Sequence, residues 1–180
     1  IRSPTDAIKF GMALIPEDRR REGLVLMHSV EDNISLSLVR DLSKAGWFQR
    51  KLARRRVSEQ VRALEIKASS LRQKAEFLSG GNQQKVVVGK WLTRAPKLLI
   101  LDEPTVGIDV KTKAELRDGI RNMVKDKTCG VILFSSDLSE IIQVSDRIVV
   151  LYQGEVIKEY SNAVPINEEV LHRAIQGIVQ

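Results

Sequence analysis

A chain of 180 residues with a formal net charge of +6 is sized for one domain with a real core, and 43% hydrophobic with 29% charged content is ordinary for a soluble globular protein. No apolar run approaches the roughly 20 residues that span a bilayer, no signal peptide is visible, and the single Cys129 excludes an internal disulfide and suits a reducing cytosol. Aromatics are only 4%, so the core is expected to be aliphatic. The charge gathers in two patches, Arg19-Arg20-Arg21 and Arg50-Lys51 with Arg54-Arg55-Arg56. Such patches suit phosphates, nucleic acid or an anionic membrane surface. No aromatic residues interleave with them as in a stacking platform, so nucleic acid is not an expected partner. The chain opens Ile1-Arg2-Ser3 without an initiator methionine, which predicts a piece of something longer.

Ser3-Pro4-Thr5-Asp6 is a helix start in which Ser3 caps and Asp6 reaches back to complete a capping box; the helix ends by Gly11. Met12 to Ile15 is a brief buried strand, stopped by Pro16-Glu17-Asp18, and a charged loop runs to Gly23. Ser29-Val30-Glu31-Asp32 starts a second helix with Ile34, Leu38 and Leu42 along one face. After Gly46-Trp47-Phe48 a third helix runs from Arg50 to about Glu65, with Val57, Val61 and Leu64 as its apolar stripe. No strand signal interrupts this helical stretch.

Ser79-Gly80-Gly81 then opens a helix that buries Val86, Val87, Val88, Trp91 and Leu92. This entrance reads either as a serine cap with a flexible lead-in or as an anion site made by a hydroxyl and first-turn N–H groups. The aliphatic run Leu98-Leu99-Ile100-Leu101 ends abruptly in Asp102-Glu103-Pro104, as a strand of a parallel sheet does at its carboxyl edge. Ligands of open α/β sheets bind at that edge, where one carboxylate can hold a hard cation and its neighbour orient a water. After a tight loop at Gly107-Ile108-Asp109 comes a helix from about Lys111 to Lys125 with Leu116, Ile120 and Met123 or Val124 inside. Val131 to Phe134 is a second buried strand ending at Ser135-Ser136-Asp137, followed by a short helix with Leu138, Ile141 and Ile142. Ile148 to Tyr152 and Glu155 to Tyr160 form a hairpin about Gln153-Gly154, and Asn167-Glu168-Glu169 starts a last helix with Leu171 and Ile175 inside. Strands alternating with helices predict an α/β fold with a parallel core sheet.

The order of these signals resembles the ATP-binding cassette family of transport ATPases. Leu78-Ser79-Gly80-Gly81-Asn82-Gln83 resembles its signature motif, Leu98 to Glu103 its Walker B strand, and Gly107-Ile108-Asp109 its D-loop. Ser145-Asp146-Arg147-Ile148 is similar to the segment after its switch loop. More closely, Pro16-Glu17-Asp18-Arg19 with Gly23-Leu24-Val25-Leu26, and Ser135-Ser136, resemble the second cassette of bacterial monosaccharide importers of the ribose, galactose or xylose type. The resemblance implies a P-loop NTPase-like cassette spanning 1–180. A helical subdomain at about 29–71 would face the permease, the signature-to-switch region would occupy about 72–160, and a C-terminal helix 161–180.

ATP and Mg²⁺ are the implied cofactors. Asp102 would hold Mg²⁺ through water, Glu103 would orient the attacking water, and Ser79, Gly80, Gly81 and Asn82 would meet the γ-phosphate on an opposing cassette in a head-to-tail dimer. Asp109 would link the two sites, and Glu17 stands where most cassettes have a glutamine that senses Mg²⁺ and the membrane partner. Ser136 stands where most have a histidine on the γ-phosphate. The implied partners are a permease, a second cassette and, indirectly, a sugar-binding protein, at the cytoplasmic face of the inner membrane. Both departures weaken the case for fast hydrolysis. No Gly-x-x-x-x-Gly-Lys-Ser/Thr loop occurs in the 180 residues, so the Walker A strand is expected upstream and the chain alone is expected to bind ATP poorly. Its absence from the sheet predicts exposed aliphatic side chains and self-association. The alternatives are a soluble cassette acting on ribosomes or nucleic acid, and a non-catalytic cassette that lends only its signature motif.

Overall fold

Ser3 begins the first helix as its spacing predicts, its hydroxyl accepting from the Asp6 amide, and α1 (Pro4–Lys9) runs from there to the turn at Gly11. The Asp6 carboxylate differs from expectation: it accepts from the Arg2 amide, one residue before the cap, so the box does not close on Ser3. A computed structural model describes residues 1–125, 129–161 and 166–178, in two compact units, Ile1–Ile132 and Leu133–Gln180. Among the described residues no helix is long and apolar enough to cross a membrane.

In the first unit, β1 (Met12–Ile15) leads into a π-helical turn, Arg19–Gly23, where sequence reasoning expects only a charged loop. The Asp18 carboxylate organises that turn by accepting from the amides of Arg20 and Arg21. The helix from Ser29 has both halves of a capping box with Asp32, but α2 (Val30–Ser35) is shorter than predicted and passes into a 3₁₀ turn at Leu36–Leu38. Ile34, Leu38 and Leu42 are nonetheless all buried. Buried Asn33 anchors the segment before α2: its Oδ1 accepts from Val25 N at 2.8 Å, and its Nδ2 donates to Val25 O and Ser29 O, each at 3.0 Å.

The expectation of an uninterrupted helical stretch is corrected here. A two-residue hairpin of β2 (Ser43–Lys44) and β3 (Trp47–Phe48) intervenes, made possible by Ala45 and Gly46 at φ 47° and 81°. α3 (Arg50–Ala63) then ends two residues earlier than predicted, because Glu65 adopts φ 49° and the Ile66 amide folds back to Val61 O at 2.9 Å. α2 and α3 both pack on α4 (Gly80–Leu92), whose Val86, Val87 and Val88 are fully buried while Trp91 and Leu92 are half-buried.

β4 (Leu98–Asp102) pairs in parallel with β1, in the register Met12↔Leu98 to Ile15↔Leu101. Both strands therefore end on one edge, with Glu17 two residues beyond Ile15 and Glu103 two beyond Leu101. α5 (Val110–Lys125) buries Leu116 and Ile120 and half-buries Val124; the Met123 side chain lies outside the described residues. The sheet order is β1-β4-β5, with β5 spanning Gly130–Phe134. β5 is not the buried strand its composition predicts: Ile132 is 44% and Phe134 51% exposed. An edge strand with an uncovered face leaves apolar residues in water whatever their β propensity.

In the second unit α6 (Leu138–Val144) is capped by Asp137, and β6 (Arg147–Tyr152) and β7 (Glu155–Ser161) form the predicted hairpin, with Gln153 and Gly154 at φ 49° and 86°. α7 (Glu168–Ile175) closes a small core of Ile148, Val150, Leu171 and Ala174. Ile175, expected inside, is 44% exposed; the 3.6-residue period carries Ala174 inward instead. Of the expected C-terminal segment, residues 162–165, 179 and 180 lie outside the described residues.

Candidate functional site

The entrance of α4 is exposed at Ser79 and buried two residues later at Gly81. Ser79 is the cap, and its Oγ accepts from the Asn82 side-chain amide at 2.9 Å. Asn82 also takes the Lys67 amide on its Oδ1 at 2.7 Å, so it ties the entrance to the segment after α3. The two glycines answer a steric demand from this same chain. A Cβ at Gly80 would stand 2.7 Å from Arg19 Nη2 and 3.0 Å from Gly107 O, and one at Gly81 would stand 2.8 Å from Thr112 Cγ2. The backbone approach that a Ser-Gly-Gly sequence announces is therefore first an approach to the 106–112 segment. The outer N–H groups of the first turn have no partner within the helix and are available to an anion.

The 106–112 segment is held from both sides. Asp109 caps α5: its Oδ1 accepts from Thr112 N at 3.0 Å and its Oδ2 from Thr112 Oγ1 at 2.8 Å. The Thr112 amide, followed by its hydroxyl, holds the Asp109 carboxyl below the usual aspartate value. On the other side Arg19 donates from Nη1 to Val106 O at 2.8 Å and from Nη2 to Gly107 O at 3.1 Å. Burial, aided by neighbouring Arg20, lowers the Arg19 pKa from its ordinary value, and its Nε is buried without a hydrogen-bond partner. Arg19 joins the exit of β1, the entrance of α4 and the loop after β4. Sequence reasoning counted it in a basic patch and in the Pro16-to-Arg19 resemblance, without a bonding role. The one available signal was its place directly after Glu17-Asp18 at a strand exit.

Asp102 and Glu103 lie half-buried at the carboxyl edge, and Glu103 takes φ 44°, which turns the chain sharply out of the sheet. Such a conformation is costly for a residue with a Cβ and is found where a site demands it. Glu17 is exposed on the same sheet edge, at the exit of β1. The structure thus gathers Glu17, Asp102 and Glu103 at one edge, and gathers Ser79, Gly80, Gly81, Asn82 and Asp109 about the α4 entrance. Ser136 belongs to the second unit, where it is exposed before α6; beside it Ser135 Oγ donates to Glu140, which is 1% exposed, at 2.8 Å.

Among the described residues no three His, Cys, Asp or Glu side chains cluster as a metal cage. A Mg²⁺ ion at Asp102 would therefore complete its octahedron with water and phosphate oxygens, as Mg²⁺ commonly does. The α4 entrance fits a terminal phosphate through its hydroxyl and backbone N–H groups. The sequence contains no phosphate loop to cradle a whole nucleotide.

Comparisons with known proteins bear on the family and the fold. The chain is 41% identical over 97% of its length to the ribose import ATP-binding protein RbsA of Rhodopirellula baltica. It is 43% identical over 98% to RbsA of Caldanaerobacter subterraneus subsp. tengcongensis. Against the xylose import ATP-binding protein XylG of Thermoanaerobacter pseudethanolicus the figures are 42% and 98%. It spans 34%, 36% and 35% of those proteins, about a third of each. Its fold matches a dimeric post-hydrolysis structure of the ATP-binding cassette MJ0796 bound to ADP and Pi, with a TM-score of 0.75 at 21% identity over 89% of this chain and 68% of that one. A second dimeric MJ0796 structure, described as a bacterial ABC transporter cassette, gives 0.73 at 22% over the same shares. The ABC transporter family model matches residues 6–106, which run from α1 through the α4 entrance to the turn that Arg19 grips. More than half of the sequence and the fold around it thus agree: this chain belongs to the ABC transporter family.

Proposed function

We propose that this chain forms part of the ATP-binding subunit of a bacterial monosaccharide importer, attached to a permease at the cytoplasmic face of the inner membrane. The observation that carries the reading is the exposed Ser79-Gly80-Gly81 entrance, braced by Arg19 and Thr112, in a chain about 42% identical to a xylose import ATP-binding protein. In this reading the Ser79 hydroxyl and the first-turn N–H groups of α4 hold the terminal phosphate of ATP bound on a second cassette, packed head to tail. Asp102 takes Mg²⁺ through water and Glu103 orients the attacking water. Asp109, with both carboxylate oxygens on Thr112, acts by keeping the 106–109 loop in shape against the opposing cassette. Glu17 sits at the β1 exit to sense Mg²⁺ and the permease, and Ser136 offers the γ-phosphate a hydroxyl. When bound, MgATP supplies the phosphoryl transfer whose free energy drives the transport cycle. The sugar reaches the permease from a binding protein that does not touch this chain. Ribose and xylose are the first sugars to test.

A second reading is favoured by Glu17 and Ser136, which replace a neutral donor and an imidazole with a negative charge and a plain hydroxyl: this cassette lends its α4 entrance but turns over little ATP itself. Uptake into proteoliposomes containing the full-length protein and its permease separates the possibilities. Ser79→Arg, which blocks the exposed entrance, should lower sugar uptake and ATP hydrolysis together by about a hundredfold. Unchanged uptake would overturn the proposal. Glu103→Gln then reports on the local site: a fall in hydrolysis assigns Glu103 a catalytic role, and unchanged hydrolysis and uptake assign the chain the lending role alone. The 180-residue polypeptide by itself should show no micromolar affinity for MgATP in a calorimetric titration.

A further inference from the structure

A π-helical turn is uncommon and often marks a functional place in a fold. The turn Arg19–Gly23 follows directly on Glu17 and Asp18 at the exit of β1, and it is held at its base and at both ends. At the base, Glu22 N donates to Asp18 O at 2.9 Å, while the Asp18 carboxylate takes the amides of Arg20 and Arg21. At the far end, Gly23 lies against the side of α4. Lys90 Nζ donates to Gly23 O at 2.6 Å, and a Cβ on Gly23 would stand 2.8 Å from Val87 Cγ2.

The near end reaches the same helix at its entrance. The Arg19 guanidinium lies between two lengths of backbone that carry no side chain: Cβ atoms built on Gly80 and Gly107 would stand 2.7 Å and 3.4 Å from its Nη2. Both terminal nitrogens are engaged on the carbonyls of Val106 and Gly107, and Nε is buried with no hydrogen-bond partner. A buried donor left unpaired is disfavoured, so the guanidinium is held there for its position and not to satisfy all its donors. The turn meets α4 at Gly80 and again at Val87 and Lys90, about two to three helical turns further on. Fixed at two points on one helix, it has little freedom to shift independently of α4.

We infer that Arg19 is a positioning residue for phosphoryl transfer. It sets the separation between the α4 entrance and the 106–109 loop. The Ser79 hydroxyl and the first-turn N–H groups then meet the terminal phosphate in the same arrangement in which the loop meets the opposing cassette. Arg19 acts through these two elements and not on the phosphate. A lysine ammonium carries the charge but has no planar fork to grip two successive carbonyls. The glycines at 80 and 107 gain a second reason: they leave room for the guanidinium as well as for an anion. The inference rests on the reading of Ser79 as a phosphate contact, and it holds whether or not this cassette also hydrolyses ATP at its own edge. In that reading the entrance touches only the far end of the nucleotide, the rest being bound on the other cassette. A misplaced entrance therefore slows the chemical step more than it weakens binding.

ATP hydrolysis by the full-length protein with its permease in proteoliposomes tests it. Arg19→Ala should lower kcat about tenfold and leave the KM for ATP within about threefold of wild type. Arg19→Lys should recover part of that loss, to about threefold below wild type. Asp109→Ala removes the other brace of the same loop. Combined with Arg19→Ala, it should cost little more than the worse single variant, because the loop is already loose. Thermal unfolding of each variant gives the folded fraction at the assay temperature. Wild-type kcat in Arg19→Ala, full recovery by lysine, a change confined to KM, losses that multiply in the double variant, or a fall in kcat that only follows the folded fraction would each overturn the inference. Ser79→Arg in the same assay separates it from the reading beneath it. If Ser79→Arg is inactive while Arg19→Ala is unchanged, this inference alone fails. If Ser79→Arg behaves as wild type, the phosphate reading fails and this inference with it.

Discussion

Arg19 is the side chain on which the local geometry of the site turns, because its two terminal nitrogens reach carbonyls 87 and 88 residues away in sequence. Lysine keeps the charge but not the fork, so Arg19→Lys should retain one of the two contacts and Arg19→Ala neither. Hydrogen exchange at residues 106–109 is the measurement: amides there should exchange about tenfold faster in Arg19→Ala and to an intermediate degree in Arg19→Lys. Unchanged exchange in both would show the loop to be held by Asp109 alone. A second test at this scale concerns acid stability. Lys85 Nζ hydrogen-bonds Glu115 at 2.6 Å, and that bond is the main reason the Glu115 carboxyl titrates below the ordinary glutamate value. Because the folded value lies below the unfolded one, about 4.3, the contribution is fully present above that pH and is lost as pH falls through the folded value. Urea unfolding of Glu115→Gln should show lower stability than wild type at pH 7, with the gap closing toward pH 3.

At the scale of elements, α2 illustrates how a polar core residue organises a turn. Asn33 is 0% exposed and satisfies backbone groups of Val25, His28 and Ser29. Asn33→Ala should destabilise the protein by about 3 kcal/mol in chemical denaturation, since buried donors and acceptors lose their partners together, whereas the neighbouring exposed Leu36→Ala should cost well under 1 kcal/mol. Most element starts were legible in the sequence because they are signalled by residues that act locally: Ser3, Ser29, Ser79, Asp137 and Asn167 each cap the helix predicted for them. What could not be seen came from longer range. The β2–β3 hairpin depends on Ala45 accepting a left-handed backbone that its side chain disfavours, and α3, ending at Ala63, is turned aside by Glu65 in the same region, where glycine would be the usual signal. The glycines of the α4 entrance were legible as a close approach, but their neighbours, Arg19 and Thr112, arrive by tertiary folding from either side of the motif. Asp109 stood out in the sequence as a candidate and its commitment to Thr112 did not, although an aspartate three residues before a threonine at a helix start is a capping arrangement.

For the molecule as a whole the balance of buried and exposed apolar surface is the deciding quantity. Ile15, Leu99 and Leu101 are fully buried in the sheet, yet Leu14, Ile132 and Phe134 stand 49%, 44% and 51% exposed on its strands. Exposed aliphatic and aromatic residues on edge strands promote pairing between copies. The 180-residue polypeptide should therefore self-associate at high concentration in light scattering, and Ile132→Lys should shift it toward the monomer. A wild-type polypeptide that stays monomeric would show that these strands are too short to template association. The Arg19 tether bears on descent as well as on shape. Both of its acceptors are main-chain carbonyls, which every amino acid supplies, and Val106 is 47% exposed. Over long divergence position 106 is free to change its side chain without loosening the grip, whereas position 19 is not. The contact records its history on one of its two sides only.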